Sequence, residues 1–212
     1  MTTGPTREMA KVLTAGLFGL TSVLVSCGSG GARRPGDLRG VELPVALDKV
    51  DFVLQDTEGK GFDFRSETEG YLTLLFFGYT NCPDVCPVHM AGIASVLRNM
   101  ESSVASRVKV VMVTVDPDRD TPRRLREWLD NFDTSFIGLR GDLSHVREIM
   151  NALNMAPPAV DSSQGTNYLV GHPSQVIVYT TDNRAHLVYP HGTRQRDWAH
   201  DIPMLVDATW DS

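Results

Sequence analysis

Cys82 and Cys86 stand four positions apart, and proline follows each of them in the run Cys82-Pro83-Asp84-Val85-Cys86-Pro87. Two thiolates held that close either join as a disulfide or grip a soft metal ion. An apolar strand over residues 71–77 leads into the pair through the turn Gly78-Tyr79-Thr80-Asn81. Pro87 suits the first turn of a helix, because its missing N–H would be unpaired there anyway. Cys86 is thus placed at or beside a helix N-terminus, whose partial positive charge favours thiolate over thiol.

The chain holds three cysteines, and the first, Cys27, has a different setting. Arg7 and Lys11 precede an apolar stretch from Val12 to Val25, then come Ser26, Cys27 and Gly28-Ser29-Gly30-Gly31. This stretch resembles a bacterial lipoprotein signal, which implies cleavage before Cys27 and acylation of its thiol. The apolar run is short for a membrane span, which needs ~20 residues. Residues 1–26 are read as the signal peptide, 27–44 as a flexible tether, and 45–212 as one domain. The domain is then expected at the cell membrane, lipid-anchored and facing the extracytoplasmic side. A lone pair of thiols in that oxidising setting needs a reason. A structural disulfide between them would close a small loop and remove little chain entropy, so a chemical role is preferred.

Composition narrows the partners. Hydrophobic residues form 42% of the chain, an ordinary share for a domain with a core. The formal charge is −6; residues 1–26 carry Arg7, Lys11 and Glu8, one net positive charge, so the remaining body is −7. An acidic body argues against nucleic acid and against broad adhesion to anionic lipid. Metal cations and basic protein patches are compatible with it.

The elements that must position the thiols alternate strand and helix. Residues 50–55 and 61–64 suggest a hairpin around Glu58-Gly59-Lys60-Gly61. Residues 87–100 place Ile93, Val96, Leu97 and Met100 on one face at helical spacing. A buried strand over 108–115 follows, then Asp120-Thr121-Pro122 offers a cap and a proline for a helix over 122–132. A short strand is expected at 135–139, a helix at 143–153, and an exposed connector through Pro157-Pro158 and Asp161 to Gly165. Residues 175–180 and 185–189 read as a hairpin, and a last helix lies within 195–210, interrupted or begun by Pro203. This is the order of a thioredoxin-like α/β domain: a central mixed sheet flanked by helices and preceded by an N-terminal hairpin. The dithiol falls at the C-terminal end of a central strand, where open α/β sheets hold ligands.

Three segments carry a more specific resemblance. They are residues 77–87, Val113-Thr114-Val115-Asp116-Pro117-Asp118-Arg119-Asp120-Thr121-Pro122, and Tyr168-Leu169-Val170-Gly171-His172. Together they resemble the signatures of the SCO/SenC proteins, over roughly residues 45–210 by order and spacing of elements. That family comprises membrane-tethered, thioredoxin-fold, copper-binding proteins that support assembly of the dinuclear copper centre of cytochrome c oxidase. The third segment departs from the pattern, which usually has aspartate before the histidine and a small polar residue after it; Gly171 and Pro173 stand there instead. The resemblance implies that Cys82, Cys86 and His172 ligate copper. It also implies the copper-bearing oxidase subunit as recipient, and a copper donor or thiol reductase as a further partner. Ligand chemistry agrees, since two thiolates suit Cu(I) and an added imidazole accommodates Cu(II). A structural zinc site would want four protein ligands.

The alternative function is a thiol–disulfide oxidoreductase, with Cys82 and Cys86 as its redox dithiol, keeping the recipient's cysteines reduced. Three residues separate these cysteines where redox motifs have two, and His172 has no part in exchange, so a metallochaperone is preferred to an enzyme. A peroxiredoxin-like peroxidase is disfavoured, because Thr80-Asn81 precedes Cys82 where that family has proline–threonine.

The His172–Pro173 bond is expected to be cis, as thioredoxin-like folds commonly place a cis-proline there. His89, His145 and His200 are expected on helix surfaces, with His89 the alternative fourth ligand, and Met90 in the core. His186 and His191 are expected to be solvated or locally bonded near the site. Asp116 and Asp118 are candidates for tuning the site from outside the ligand set. Arg119 and Asp120 are read as cap and loop brace, and Tyr79 as packing beside the dithiol.

Overall fold

The computed structural model describes residues 1, 2, 4, 38–161, 165 and 168–210. Cys27, the signal over 1–26 and residues 27–37 of the expected tether lie outside the described residues, apart from 1, 2 and 4. The described residues from 38 onward belong to one compact unit.

Its centre is three parallel strands, β4 (Leu72–Gly78), β5 (Val108–Thr114) and β6 (Ile137–Arg140). Every residue of β4 is buried. A strand buried on both faces reads in sequence as a near-continuous apolar run, which Leu72 to Phe77 supply with Thr73 as the one polar member. The crossover from β4 to β5 contains α2 (Val85–Arg98) and the short α3 (Ser102–Ala105); the crossover from β5 to β6 contains α4 (Pro122–Asp130). Thr121, not Asp120, is the N-cap of α4, accepting from Arg124 N at 3.2 Å. Gly138 in β6 lets α4 approach, since a Cβ there would lie 2.8 Å from Leu129 Cδ1 and 2.9 Å from Leu125 Cγ.

Antiparallel strands extend the sheet on both sides. β9 (Val176–Tyr179) pairs with β4, β10 (Arg184–Tyr189) with β9, and β1 (Val41–Asp48) with β10. On the other side β2 (Val53–Asp56) pairs with β6, and β3 (Gly61–Asp63) with β2. The resulting eight strands run β1-β10-β9-β4-β5-β6-β2-β3. The expected hairpin before the central strands is thus present, at the sheet's edge. Strand β1 begins at Val41, so the last four residues of the stretch read as tether lie in a strand, with Val41 and Glu42 paired to β10.

The remaining helices are α1 (Phe64–Glu67), α5 (Leu143–Ala152) and α6 (Gln195–Leu205), which packs on α2 and holds Pro203 inside its last turn. The connector expected as exposed holds the exposed strand β7 (Ala159–Asp161), which forms a small separate hairpin with β8 (Leu169–Gly171) after the connector. Among the described residues no helix is long and apolar enough to cross a membrane.

Candidate metal centre

The sulfurs of Cys82 and Cys86 and a ring nitrogen of His172 all lie within 4.8 Å of one another. Both thiols are free, Cys82 half-buried and Cys86 fully buried. Three parts of the fold bring them together. The end of β4 delivers Cys82 through a turn in which Cys82 N donates to Tyr79 O at 3.2 Å. Helix α2 begins at Val85, so Cys86 sits in its first turn as the proline spacing predicts. There Cys86 N donates to Cys82 Sγ at 3.4 Å. The loop from β8 to β9 delivers His172, whose Nε2 stands 3.7 Å from Cys86 Sγ.

Gly78 makes room for this assembly. A Cβ at that position would lie 2.5 Å from Phe76 Cε1 and 3.1 Å from Cys86 Sγ. The end of the central strand therefore has to be glycine for the sulfur to tuck against it.

The cysteine loop is braced by one buried carboxylate. Asp120 is fully buried and accepts from Thr80 N at 3.0 Å, Thr80 Oγ1 at 2.5 Å and Thr114 Oγ1 at 2.6 Å. Burial raises its pKa, while the bonds from Thr114 and Thr80 hold it down. Arg124 adds a bond from Nε to Thr80 Oγ1 at 2.8 Å and a second to Asn81 Oδ1. The brace expected of Asp120 is present; the capping role belongs to its neighbour.

A second network holds the arm that carries His172. Asp116 accepts from Tyr168 Oη at 2.7 Å and from Arg119 Nε at 2.5 Å. The Arg119 guanidinium covers the Tyr168 ring, 3.5 Å from its centroid. Two residues on, Val170 N donates to Tyr79 Oη at 3.3 Å. The Tyr79 ring meets the His172 ring edge-on at 5.7 Å, beside the dithiol as expected. Asp116 thus acts on the arm, while Asp118 is exposed and lines a separate concavity with Leu54 and Arg140.

The protonation pattern is asymmetric. A hydrogen bond from the Cys86 thiol holds the Cys82 pKa far below the ordinary range, against the penalty of burial. The same bond, from the donor's side, and burial push Cys86 up. The two shifts are opposed, so Cys82 is the more acidic thiol of the pair and Cys86 the less acidic one. His172 Nδ1 lies 2.9 Å from Pro173 O. A carbonyl only accepts, so Nδ1 carries the ring's proton and the Nε2 lone pair faces the sulfurs. Two soft sulfurs and one imidazole nitrogen fit Cu(I), and Cu(II) through the nitrogen. A fully protein-ligated zinc site would need a fourth donor. Beside Cys82 lies a mostly apolar cleft of ≈ 270 Å³ whose walls include Pro83, Val85, Leu169 and Gly171.

Two expectations are corrected. The His172–Pro173 bond is trans, the lower-energy isomer, and the loop brings the imidazole to the sulfurs without the cis form. His89 is not a surface residue: it is 4% exposed, and its Nε2 bonds Ser174 O at 2.9 Å. The spacing 89, 93, 96, 100 carried the signal, for it continues the apolar stripe of α2 back to this residue. His89 also lies outside the cluster of three ligand atoms. Met90 is in the core, and His145 is exposed on α5. His200 is half-buried against Asp201, at 2.7 Å. His186 pairs with Asp182 at 2.7 Å and stacks on Trp210, and exposed His191 meets the His89 ring at 5.7 Å.

A model of the SCO1/SenC family matches residues 44–207. A SCO2-like protein of Rickettsia prowazekii is 32% identical over 134 residues, which are 63% of this chain and 64% of that protein. The match thus spans somewhat less than two thirds of that relative's length. The structure of Bradyrhizobium japonicum ScoI with copper bound superposes with a TM-score of 0.67 at 29% identity, covering 74% of this chain and 99% of that one. Apo Sco1 of Thermus thermophilus gives 0.70 at 29% identity, covering 79% and 96%. The shared architecture is the thioredoxin-like α/β fold.

Proposed function

The chain belongs to the SCO1/SenC family, and on that premise we propose that it binds copper through Cys82, Cys86 and His172 and passes it to the dinuclear copper site of cytochrome c oxidase. The carrying observation is the convergence of the three ligand atoms within 4.8 Å. In this reading copper is cargo. Three protein ligands leave a coordination position for a thiolate of the recipient, so the ion moves by exchange of ligands. The half-buried Cys82 sulfur, beside an apolar cleft, is the one a partner reaches. Oxidation of Cys82 and Cys86 to a disulfide by an external oxidant would take two electrons and whatever thiol proton the pair holds, and would remove two ligands together, so metal loading requires the reduced pair.

The tether belongs to the same proposal. Acylation of Cys27 would hold the domain at the extracytoplasmic face of the cell membrane, within reach of a membrane-embedded oxidase. Metal analysis of the reduced protein, with Cys82, Cys86 and His172 replaced in turn, tests the assignment. Stoichiometric copper lost with each replacement is the expected result; copper retained without His172 overturns the trio.

One observation favours a second reading, a thiol–disulfide oxidoreductase acting on the recipient's copper-site cysteines. A thiolate at a half-exposed position beside a buried, protonated partner is the arrangement of an attacking and a resolving thiol. The imidazole separates the two, because ligand exchange needs it and disulfide exchange does not.

A further inference from the structure

Two imidazoles donate to two successive carbonyls at this site. His172 Nδ1 bonds Pro173 O at 2.9 Å, and His89 Nε2 bonds Ser174 O at 2.9 Å. The first contact lies within the loop and sets the orientation of the His172 ring. The second crosses 85 residues of sequence and ties the loop to α2, the helix that carries Cys86. Pro173 stands between His172 and both carbonyls, and its ring fixes φ there, which limits how far the His172 backbone can yield when Ser174 is held. His89 is itself held: it is buried, and its ring packs at 5.2 Å from Phe76, whose own ring lies 6.0 Å from His172.

We infer that His89 is a positioning residue, whose Nε2–H bond to Ser174 O sets the distance between the His172 imidazole and the Cys86 sulfur. The inference rests on the copper reading above and deepens it. His89 touches no copper. It acts by holding the loop against the helix, so that the one nitrogen ligand and the two sulfur ligands keep a fixed separation. The consequence is selective. Cu(I) is held chiefly by the two thiolates, which share one loop and one helix turn. Cu(II) needs the nitrogen, which arrives on the loop that His89 fastens. Loss of the fastening therefore weakens Cu(II) more than Cu(I).

The experiment compares His89→Gln, His89→Asn and His89→Phe in the full chain, reduced and titrated with Cu(I) and Cu(II). The glutamine amide nitrogen reaches about as far as imidazole Nε2 and donates to a carbonyl; the asparagine amide is too short, and phenylalanine fills the volume without a donor. His89→Phe and His89→Asn should lower Cu(II) affinity by at least about tenfold, with altered charge-transfer absorption and altered nitrogen splitting in electron paramagnetic resonance. Their Cu(I) affinity should stay within about threefold of the parent, and His89→Gln should restore the Cu(II) signature. An unchanged Cu(II) signature in folded His89→Phe and His89→Asn overturns the inference, and so does a glutamine variant as defective as the other two. A readout without metal separates this failure from failure of the copper reading. In the apo protein, ring-nitrogen resonances of His172 report the Nδ1–H tautomer as a single ordered state, which His89→Phe and His89→Asn should average and His89→Gln should preserve. Ordered His172 resonances in all three variants overturn the positioning role even if the parent protein binds no copper.

Discussion

Cys86 Sγ and His172 Nε2 stand 3.7 Å apart although 86 residues separate them in the chain. Nothing local enforces that approach. It depends on β4 and β9 lying side by side in the sheet, because the cysteine loop follows one and the histidine loop precedes the other. The sulfur pair, by contrast, is local and would persist through the loss of the imidazole. That difference divides the two chemical readings.

Replacing His172 by alanine should lower Cu(II) affinity by at least about tenfold and leave disulfide exchange within about twofold of the parent. Copper competition titrations and turnover of a small-molecule disulfide measure the two effects on the same sample. Equal copper affinity with and without the ring would leave only sulfur redox chemistry to the site.

The opposed shifts of the two thiols predict their reactivity with pH. Cys82 is held as thiolate well below the usual thiol range by the Cys86 hydrogen bond, so its alkylation should proceed at pH 6, where an ordinary cysteine is almost wholly protonated. Cys86, pushed up by its bond to Cys82 and by burial, should resist the reagent throughout. In Cys86→Ala the donor is gone, and the Cys82 alkylation rate at pH 6 should fall by more than about tenfold, recovering as pH approaches the ordinary thiol value near 8.5. Peptide mass analysis after timed quenching follows each cysteine separately.

How much of this was legible in the sequence follows from where the information sits. The strand into the thiols, the helix after them and the helix after Thr121 were readable because each carries its own signal: a buried apolar run, a proline in the first turn, or a side-chain cap. Strand β1 was not readable. Pro44 interrupts it, most of its residues are exposed, and its partner β10 lies about 140 residues later, with a register break between Glu42 and Leu47. The β7–β8 hairpin was missed for a related reason, since its three-residue strands are too short to show a period. At the site, Cys82 and Cys86 announced themselves by spacing, and His172 by the segment it closes. The burial of His89 was legible in the spacing of α2, but its bond was not, because its partner is a backbone carbonyl, and carbonyls leave no mark on a sequence.

Gly78 offers a test of packing that touches no ligand. Alanine there would place its Cβ 2.5 Å from Phe76 Cε1 and 3.1 Å from Cys86 Sγ, and neither neighbour is exposed. Overpacking of a closed core costs roughly 1–3 kcal/mol. Urea denaturation should show Gly78→Ala destabilised by that amount, and its copper stoichiometry should fall as the sulfur shifts. A variant as stable as the parent would mean that the strand end has slack.

Lys49 makes stability depend on pH at a place far in sequence from the thiols. It is 2% exposed, and its Nζ donates to Thr68 Oγ1 at 2.9 Å and to Thr68 O at 3.2 Å. The rings of Phe64 and Tyr179 stand 5.6 Å away on two sides. Burial, then repulsion from Arg65, lowers its pKa from 10.5 to about 8. Both hydrogen bonds survive deprotonation, because a neutral amine still donates two. Between the folded value of about 8 and the unfolded value of 10.5, the unfolded chain holds a proton that the folded chain has released. Stability from this group must therefore rise with pH across that window, whereas below it the full penalty of a buried ammonium is present. Lys49→Met keeps the stem and removes the titration. Denaturant unfolding of both proteins between about pH 7 and pH 9.5, below the onset of ordinary tyrosine ionisation, isolates the effect. The stability of the parent relative to Lys49→Met should stay level below about pH 8 and increase above it; a gap that stays constant throughout would place the ammonium in a solvated setting and refute the burial argument.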